Sequence, residues 1–293
     1  MSMDRRHALI VNPAAGAGRS AKMLPRVERE LARHGLRFRV ATTRDAEHAL
    51  QLATDAALSG EVPLLMSGDG MVGRIGGALA GGEVPIGIIP AGRGNDLARV
   101  LGIPMDAAGA ADVVASGIES TIDVGDVNGR PFLGTASCGF DSDANRIAND
   151  TKMVGGRLVY LYAALRALAE WRPARFTVSA DGEPITFSGY SVVVANSKAY
   201  GGGMMIAPGA ELDDGRLDVV MTTELSKLRF LASLPKVFKG THVEEPEVRV
   251  VRAAGVRVEA DRPFDVYADG ERLAELPATV SVKKGALRVL TPA

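Results

Sequence analysis

The sequence predicts an α/β protein of two parts: a doubly wound parallel sheet, followed by a β-rich, sandwich-like domain. Three observations lead to this prediction. Apolar runs alternate with helical stretches through the first 121 residues, ten short strand-like runs occupy much of the remainder, and a chain of 293 residues is long enough for two domains. We place the domains at residues 1–121 and 122–293, and leave open that the last residues return to the first domain.

The first part reads as strand, loop and helix in regular succession. Strands are predicted over residues 7–12, 36–43, 62–67 and 84–90. The helices predicted between and after them cover about 21–34, 45–58 and 71–80, and a fourth begins near Asp96. Strands that alternate with helices form a parallel sheet, and such sheets bind ligands beyond the carboxyl ends of their strands. The loops after the strands are therefore the first place to look for a site.

The second part has a different pattern. Short apolar runs bounded by Gly, Pro and Asp recur, as expected of a sandwich or barrel. They cover residues 122–127, 130–137, 174–180, 191–197, 216–222, 247–251, 256–260, 264–270, 278–282 and 287–291. Two helices interrupt them. One, over 156–171, is apolar on nearly all sides, so we expect it to be buried, and the other, over 225–240, is amphipathic.

Composition excludes several classes of protein. Hydrophobic residues make up 46% and charged residues 24%, which is typical of a globular chain, and the net charge of −1 argues against a dedicated nucleic-acid-binding protein. The single cysteine excludes an internal disulfide and a cysteine zinc site. The chain contains no run of about 18 apolar residues, so the sequence predicts no transmembrane helix. We therefore expect a cytoplasmic protein.

The charge is unevenly distributed along the chain. The first 44 residues contain ten basic and three acidic side chains, a net charge of +7. Such a lobe suits a phosphate-bearing ligand or an anionic membrane surface, although a solvated helix face explains most arginines of this kind.

Three glycine-rich loops follow three of the predicted strands. They are Asn12–Ser20 (NPAAGAGRS), Ser67–Met71 (SGDGM) and Pro90–Asp96 (PAGRGND). Small residues let the backbone approach an anion, and a helix that begins in the loop offers free N–H groups and positive potential. Asp69, at the end of a strand, is placed to meet a Mg²⁺ ion carried by a triphosphate. One such loop is also an ordinary turn, but three at one sheet edge predict a polyphosphate site in a Rossmann-like nucleotide domain.

Several nucleotide-binding classes are disfavoured. Residues 16–21 read G-x-G-x-x-A, but the second strand ends in Thr42-Thr43-Arg44 rather than in the acid that holds a dinucleotide's ribose, so we discount NAD and FAD. The chain contains neither G-x-x-x-x-G-K-[ST] nor the H-R-D and D-F-G pair, which excludes a P-loop enzyme and a protein kinase.

Seven segments, in this order, resemble the bacterial diacylglycerol kinase family of soluble lipid kinases, which is related to the sphingosine and ceramide kinases. They are VNPAAGAGR, SGDGM, IIPAGRGNDLAR, IDVGDVNGRPFLGTASCGFD, YGGGMMIAPGAELDDGRLDVV, YADGE and GALRVLTP. NAD kinases carry a similar SGDG loop, but the long tyrosine–glycine block and the late DGE are similar to the lipid kinases. The resemblance implies ATP-dependent phosphoryl transfer to a lipid hydroxyl, in a cleft between a nucleotide domain and a β-rich domain.

The resemblance also implies roles for single residues. Asp69, Asp269 and Glu271 would be catalytic: Asp69 organises the Mg²⁺ ion, and one of the other two acts as the base on a primary lipid hydroxyl. The residues implied to hold the nucleotide are Asn12, Gly16, Thr42, Thr43, Ser67, Gly68, Asp69 and Gly70. Without the resemblance, the D-G dipeptide at 269–270 is typical of a hairpin turn.

A second, structural Mg²⁺ site is implied in the later domain. Its ligands would be Glu211, Asp214 and Arg216, the first and last through their backbone carbonyls, with Asp123 in support through water. Oxygen ligation of this kind is what Mg²⁺ prefers. The Asp-Asp-Gly sequence at 213–215 is otherwise an ordinary turn.

The sequence departs from the family's pattern beside the phosphates. Met71 follows SGDG where threonine is usual, Arg74 stands where glutamate is usual, and Arg93 stands where threonine is usual. The two arginines add positive charge that can hold the phosphates instead. The changes alter nucleotide choice, lower the rate, or mark a weakly active member.

The sequence therefore predicts a lipid kinase that uses ATP and Mg²⁺ to convert diacylglycerol, or a similar lipid, to phosphatidic acid in phospholipid metabolism. We expect it to act peripherally at a membrane surface and to bind no nucleic acid. Many relatives form dimers, so we leave open that this protein is a homodimer. Three alternatives remain. They are a kinase of another lipid or of an NAD-kinase-like substrate, a weakly active or non-catalytic relative that binds lipid and nucleotide, and a dinucleotide-binding oxidoreductase.

Overall fold

The computed structural model describes residues 5–150 and 158–293, which form two compact units. Unit 1 contains the described residues up to Val124, together with Gly201–Gly203 and Lys283–Ala293. Unit 2 contains the described residues of Gly125–Tyr200 and of Met204–Val282. The end of the chain therefore belongs to unit 1.

Four parallel strands form the sheet of unit 1, in the order β2-β1-β3-β4. The strands are β1 Arg6–Val11, β2 Arg37–Thr42, β3 Val62–Ser67 and β4 Gly87–Pro90. The helices are α1 Ala15–Arg33, α2 Ala46–Leu58, α3 Asp69–Ala78, α4 Asp96–Val100 and α5 Ala107–Ser116. The two inner strands β1 and β3 are almost entirely buried, as expected of a parallel sheet covered by helices. The predicted fold class of the first part is confirmed.

Two features of unit 1 differ from the prediction. The strand predicted over 84–90 begins only at Gly87 in the sheet, and Ile86 forms a parallel bridge with Val289 near the end of the chain. Helix α5 was not predicted, because its alanine-rich sequence has no clear apolar stripe. Its only local signal is Asp106, whose carboxylate accepts the N–H groups of Ala108 and Gly109 at 3.1 Å and so caps the helix.

Eleven strands form the second sheet, which holds most of unit 2. They are β5 Ile118–Val127, β6 Arg130–Phe132, β7 Thr135–Gly139, β8 Ala174–Ala180, β9 Glu183–Ala195, β10 Leu217–Thr223, β11 Val248–Ala253, β12 Gly255–Ala260, β13 Asp265–Ala268, β14 Glu271–Glu275 and β15 Ala278–Thr291. Their order is β14-β13-β7-β9-β8-β12-β15-β5-β6, and β10 pairs with both β9 and β11. The predicted β-rich, sandwich-like class is confirmed.

Individual strands of this sheet differ from the sequence prediction. The run predicted over 130–137 is divided between β6 and β7, and the two runs at 278–282 and 287–291 are parts of the single strand β15. Strand β14 was not predicted. It pairs with β13 through a turn at Asp269 and Gly270, whose φ angles of 50° and 87° are those that a tight hairpin requires.

Among the described residues, three helices and one short 3-10 segment accompany this sheet. They are α6 Phe140–Asp150, α7 Leu158–Glu170, α8 Lys227–Lys239 and the 3-10 helix Thr241–Glu244. Phe140, Trp171, Tyr190 and Phe230 pack in one aromatic cluster, with neighbouring ring centroids 4.6–6.0 Å apart. This cluster is part of the unit's hydrophobic core.

The expectation that the helix over 156–171 is buried is wrong. Residues 156 and 157 lie outside the described residues, and within α7 the side chains of Tyr162 and Leu165 are 42% and 46% exposed. Leu168 and the following Trp171 are buried. Among the described side chains of the helix, some are thus buried in the core and others exposed, because an apolar sequence does not by itself supply a second layer. No helix in the described part of the chain is long and apolar enough to cross a membrane.

Candidate functional site

Three loops at the carboxyl ends of β1, β3 and β4 touch one another in unit 1. Gly16, in the loop after β1, lies so close to the loop after β4 that a Cβ atom on it would stand 2.4 Å from the carbonyl oxygen of Ala91. A Cβ atom on Gly92 would likewise stand 2.4 Å from the Cα of Gly68, in the loop after β3. Only glycine permits such close approach of two backbones. The three glycine loops of the sequence are thus brought to one place.

The loop after β1 has a left-handed backbone before the regular part of α1 begins. Residues 16–18 have φ angles of 60°, 58° and 84°. Asn12, at the end of β1, accepts the N–H of Ala14 at 3.1 Å through Oδ1, and its Nδ2 donates to the hydroxyl of Ser67 at 3.4 Å. Asn12 therefore ties the first loop to the end of β3, where the second loop starts.

Asp69 is the first residue of α3, but its carboxylate caps a different helix. It accepts the N–H of Asn95 at 2.7 Å and that of Leu97 at 3.3 Å, at the start of α4. The Asn95 side chain in turn bonds to the N–H and carbonyl of Gly92. Burial and the nearby charge of Asp96 raise the pKa of Asp69. A cation placed here would favour its ionised form.

Asp96 is a candidate that the sequence analysis did not assign. Its side chain is buried, and its Oδ2 accepts the N–H of Gly202 at 2.7 Å. Its Oδ1 is also buried and has no hydrogen-bond partner among the residues that the structure describes. An unpaired buried carboxylate oxygen is costly, so it marks a place where a ligand belongs. In the sequence, Asp96 lies in the third glycine loop, at the predicted start of a helix, and a loop of this kind is also an ordinary turn.

The carboxylates of Asp69 and Asp96 both lie close to residue 94, where glycine leaves no side chain to collide with them. A Cβ atom on Gly94 would stand 2.9 Å from Oδ2 of Asp69 and 3.0 Å from Oδ2 of Asp96. Kinases commonly hold Mg²⁺ by one or two carboxylates together with substrate phosphates. The described residues contain no group of three or more His, Cys, Asp or Glu side chains that could hold a metal alone. The pair therefore fits a Mg²⁺ ion that arrives with a nucleotide.

The other residues expected at the nucleotide lie around these loops with different environments. Gly68 precedes α3 and Gly70 lies in its first turn, so the amino end of a ten-residue helix adjoins the cluster. Thr42 is exposed, whereas Thr43 is buried and donates its N–H to the carbonyl of Val11 at 2.8 Å.

The two arginines that replace the family's usual residues differ in their surroundings. Arg93 is exposed in the loop after β4. Arg74, on α3, forms an ion pair with Glu47 of α2. The charge of Arg74 is thus already compensated, and Arg93 is the better placed of the two to meet a phosphate.

The two carboxylates predicted near residue 270 lie at one turn of unit 2. Asp269 accepts the N–H of Leu133 at 2.8 Å and that of Gly134 at 2.9 Å, one through each carboxylate oxygen, and so anchors the segment between β6 and β7. Glu271, the first residue of β14, is exposed. One of the two carboxylates is therefore engaged by the backbone and the other is accessible.

A polar cluster that the sequence did not predict follows β7. Asp141, in the first turn of α6, accepts hydrogen bonds from the hydroxyls of Ser191 and Tyr200, and burial raises its pKa to about 6. Burial also raises the pKa of the neighbouring Cys138 thiol to about 12, so this cysteine behaves as a small hydrophobic side chain.

The residues expected to hold a structural Mg²⁺ ion in unit 2 do not fit one. The carboxylate of Asp214 accepts the N–H of Arg216 at 2.8 Å through Oδ1, and its Oδ2 forms an ion pair with the guanidinium of Arg252. The one carboxylate expected in the ligand set is therefore already engaged by a backbone N–H and by a guanidinium. Burial and, to a smaller extent, the charge of Glu211 raise the pKa of Asp218, which also lies close to Arg252. Asp123, expected to support the metal, is buried and accepts the N–H of Gly285 at 2.7 Å.

Comparison with known proteins assigns both parts of the chain. Residues 6–127 match the diacylglycerol kinase catalytic domain. Residues 134–291 match the YegS C-terminal NAD kinase beta sandwich-like domain. A diacylglycerol kinase of Bacillus anthracis, known as a crystal structure, has a TM-score of 0.75 at 21% identity, over 98% of this chain and 97% of that one. At this identity the likeness concerns the fold.

Similar sequences cover the chain from end to end. A diacylglycerol kinase of Mycobacterium tuberculosis is 38% identical over 98% of this chain and 97% of its own length. A "Probable lipid kinase YegS-like" of Pseudomonas aeruginosa is 33% identical over 99% of this chain and 96% of its own length. A diacylglycerol kinase of Bacillus subtilis is 28% identical over 93% and 92% of the two chains.

Proposed function

Because the chain belongs to the family of bacterial diacylglycerol kinases and YegS-like lipid kinases, we propose that it transfers the γ-phosphate of MgATP to the hydroxyl of diacylglycerol or a similar lipid. Membership of the family makes the chain a lipid kinase. The nucleotide, the metal and the lipid are our proposal. The observation that carries it is the Asp69–Asp96 carboxylate pair at the meeting point of three glycine loops.

The proposal assigns the nucleotide to unit 1. The backbone of residues 16–18 and the amino end of α3 offer N–H groups to the phosphates, and Arg93 adds a positive charge. The carboxylates of Asp69 and Asp96 would hold the Mg²⁺ ion that travels with the triphosphate. When bound, this ion neutralises charge on the phosphates. Asn12 and Ser67 keep the first two loops in register for this contact.

The proposal assigns activation of the lipid hydroxyl to the turn between β13 and β14. Glu271 is exposed and is the general base, whereas Asp269, with both oxygens engaged by backbone N–H groups, fixes the turn. The lipid oxygen forms a bond to the γ-phosphorus as the bond from that phosphorus to the β,γ-bridging oxygen breaks. The hydroxyl proton passes to Glu271, and ADP leaves with the bridging oxygen. Such a transfer depends on positioning and charge rather than on covalent catalysis.

Product analysis tests the proposed reaction directly. Purified protein is incubated with γ-labelled ATP, Mg²⁺ and mixed micelles that contain diacylglycerol, and labelled phosphatidic acid is the expected product. Sphingosine, ceramide and NAD, offered separately, report the competing substrates. Label in one of these alone would replace diacylglycerol by that substrate. Absence of any labelled product, in a protein shown to be folded, would contradict the proposal.

The assignment of the base is tested by Glu271→Gln. We expect kcat to fall by about 100-fold or more while the KM for ATP stays unchanged, because the substitution removes the proton acceptor alone. Glu275→Gln is the matched control: this glutamate lies on the same strand and is exposed. If Glu271→Gln keeps near wild-type kcat, the base is elsewhere, and Asp269→Asn becomes the variant to measure.

A weakly active or non-catalytic relative is the second candidate function. Met71 removes a hydroxyl beside the phosphates, and Arg74 is held by Glu47 rather than free for a phosphate. This candidate predicts that the protein binds MgATP in a titration but yields no phosphorylated lipid. Turnover in the product assay would eliminate it.

A further inference from the structure

Arg252, on β11, lies beside the acidic loop that precedes β10. The antiparallel register of β10 and β11 places Arg252 directly opposite Asp218. Its Nε lies 3.5 Å from Oδ2 of Asp218, and its Nη2 forms an ion pair with Oδ2 of Asp214. One guanidinium thus contacts two carboxylates, one in the loop and one on the strand.

The carboxylates at this place require a cation. Asp218 is buried, Asp214 is largely buried, and the charge of Glu211 also acts on Asp218. Like charges at short range, partly removed from water, are unfavourable unless a positive charge compensates them. A planar guanidinium with several fixed donors can serve two carboxylates at once, whereas Mg²⁺ needs near-octahedral oxygen ligands at short distance. The side chain that the structure provides is the arginine.

We propose that Arg252 takes the place of the structural cation that the family resemblance implies, so that the loop over 211–218 is held by an arginine and unit 2 needs no divalent metal. The arginine is part of the chain, so this compensation does not depend on metal supply. This role of Arg252 concerns the stability of unit 2 and does not depend on which lipid or nucleotide the protein uses.

Thermal unfolding of the full chain, without nucleotide, gives the first test. Wild-type protein should have the same Tm in excess EDTA as in millimolar Mg²⁺ or Ca²⁺. A metal bound well above its Kd in the native state would instead raise the Tm by about 5 °C or more. A fall of this size in EDTA that is absent in Asp214→Asn would overturn the proposal.

Substitution of the arginine gives the second test. Arg252→Gln should lower the Tm in EDTA, and Mg²⁺ or Ca²⁺ should recover part of the loss, because the carboxylates are left without their cation. Arg257→Gln is the matched control, since Arg257 pairs with Glu259 on β12 of the same sheet and is exposed. Equal Tm values for the two variants would overturn the proposal. So would a destabilised Arg252→Gln that neither metal ion affects, because Arg252 would then only brace the strands.

Direct metal binding keeps the proposal testable if Arg252→Gln does not fold. Mn²⁺, measured by electron paramagnetic resonance on nucleotide-free wild-type protein and on Asp214→Asn, should bind equally to both. Loss of a Mn²⁺ site in Asp214→Asn would show that the loop holds a metal and would overturn the inference. Arg252→Lys, which keeps the charge, should remain indifferent to EDTA.

Discussion

At the scale of the single residue, Asp69 combines two tasks that a substitution can separate. Its carboxylate caps α4 through two N–H groups and lies close to Gly94, as the carboxylate of Asp96 does. We expect Asp69→Asn to lower kcat by about 100-fold or more, because the amide keeps one oxygen for capping but loses the charge that would meet Mg²⁺. Circular dichroism should show an unchanged fold.

The control for Asp69→Asn is Asp112→Asn on α5. Asp112 is exposed and pairs with His34 at 2.7 Å, and we assign it no role in binding Mg²⁺ or nucleotide. Its activity should match that of the wild-type protein. Substantial turnover in Asp69→Asn would show that this carboxylate is structural only.

Because of Asp141, we expect the stability of unit 2 to depend on pH. Burial raises its pKa from 3.8 to about 6 in the folded protein. Between these values the folded state keeps a proton that the unfolded state has released, so the contribution of this group to stability is full below about pH 4 and is lost as pH rises through about 6.

Asp141→Asn tests this dependence because it cannot titrate. Relative to the variant, the wild-type protein should lose on the order of 3 kcal/mol of unfolding free energy between about pH 4 and pH 7. Urea unfolding of both proteins at several pH values in this interval measures the difference. Parallel curves would show that the carboxyl group titrates normally. Ser191→Ala, which removes one of the hydroxyl donors to Asp141, should keep the pH dependence.

At the scale of the element, the loops after β3 and β4 are in backbone contact, so any side chain at residue 92 would disturb that contact. A Cβ atom there would stand 2.4 Å from the Cα of Gly68 and 2.9 Å from Oδ1 of Asn95. We expect Gly92→Ala to destabilise unit 1 by about 1–3 kcal/mol and to raise the KM for ATP, because the two loops must move apart.

The matched control for this substitution is Gly255→Ala, at the start of β12. The nearest atom to its new Cβ would be Oδ1 of Asp181 at 3.9 Å, an ordinary contact. Urea unfolding and steady-state kinetics compare the two variants. An unaltered KM in Gly92→Ala would mean that the contact between the loops is not needed for nucleotide binding.

The sequence predicted elements whose signal is local. Strands β1, β2 and β3 and helix α2 lie within one or two residues of their predicted bounds. Their apolar runs, and the glycines near their ends, are local signals that a sequence shows. The single strand β15 was predicted as two strands, because Lys283, Lys284 and Gly285 interrupt the apolar pattern while the backbone continues. Pairing with other strands, which a sequence does not show, decided that continuity.

The sequence predicted which loops carry the candidate site, but not which side chains lie beside one another there. Glycine spacing predicted that three loops carry the site, and these loops are in contact. The pairing of Asp96 with Asp69 depends on backbone turns such as the left-handed Asn95, and the pairing of Arg252 with Asp214 joins residues far apart in the chain. Both contacts arise from tertiary structure, so no local pattern signals them.

At the scale of the whole molecule, the chain ends in the unit where it begins. Ile86 exchanges hydrogen bonds with the last part of β15, as donor to the carbonyl of Arg288 at 3.0 Å and acceptor from the N–H of Leu290 at 2.9 Å. Leu287, Val289 and Leu290 are almost completely buried. Unit 1 is therefore assembled from both ends of the sequence, and a fragment that stops at residue 124 lacks part of its core.

Truncation tests this dependence. Deletion of residues 287–293 should lower the unfolding free energy of unit 1 by on the order of 5 kcal/mol, since three buried apolar side chains and the hydrogen bonds to Ile86 are lost. Deletion of Pro292 and Ala293 alone should have little effect, because these residues lie beyond the strand. Hydrogen exchange followed by mass spectrometry locates the change: amides of β4 and α5 should lose protection in the longer deletion. Unchanged protection there would show that unit 1 holds its sheet without the end of the chain.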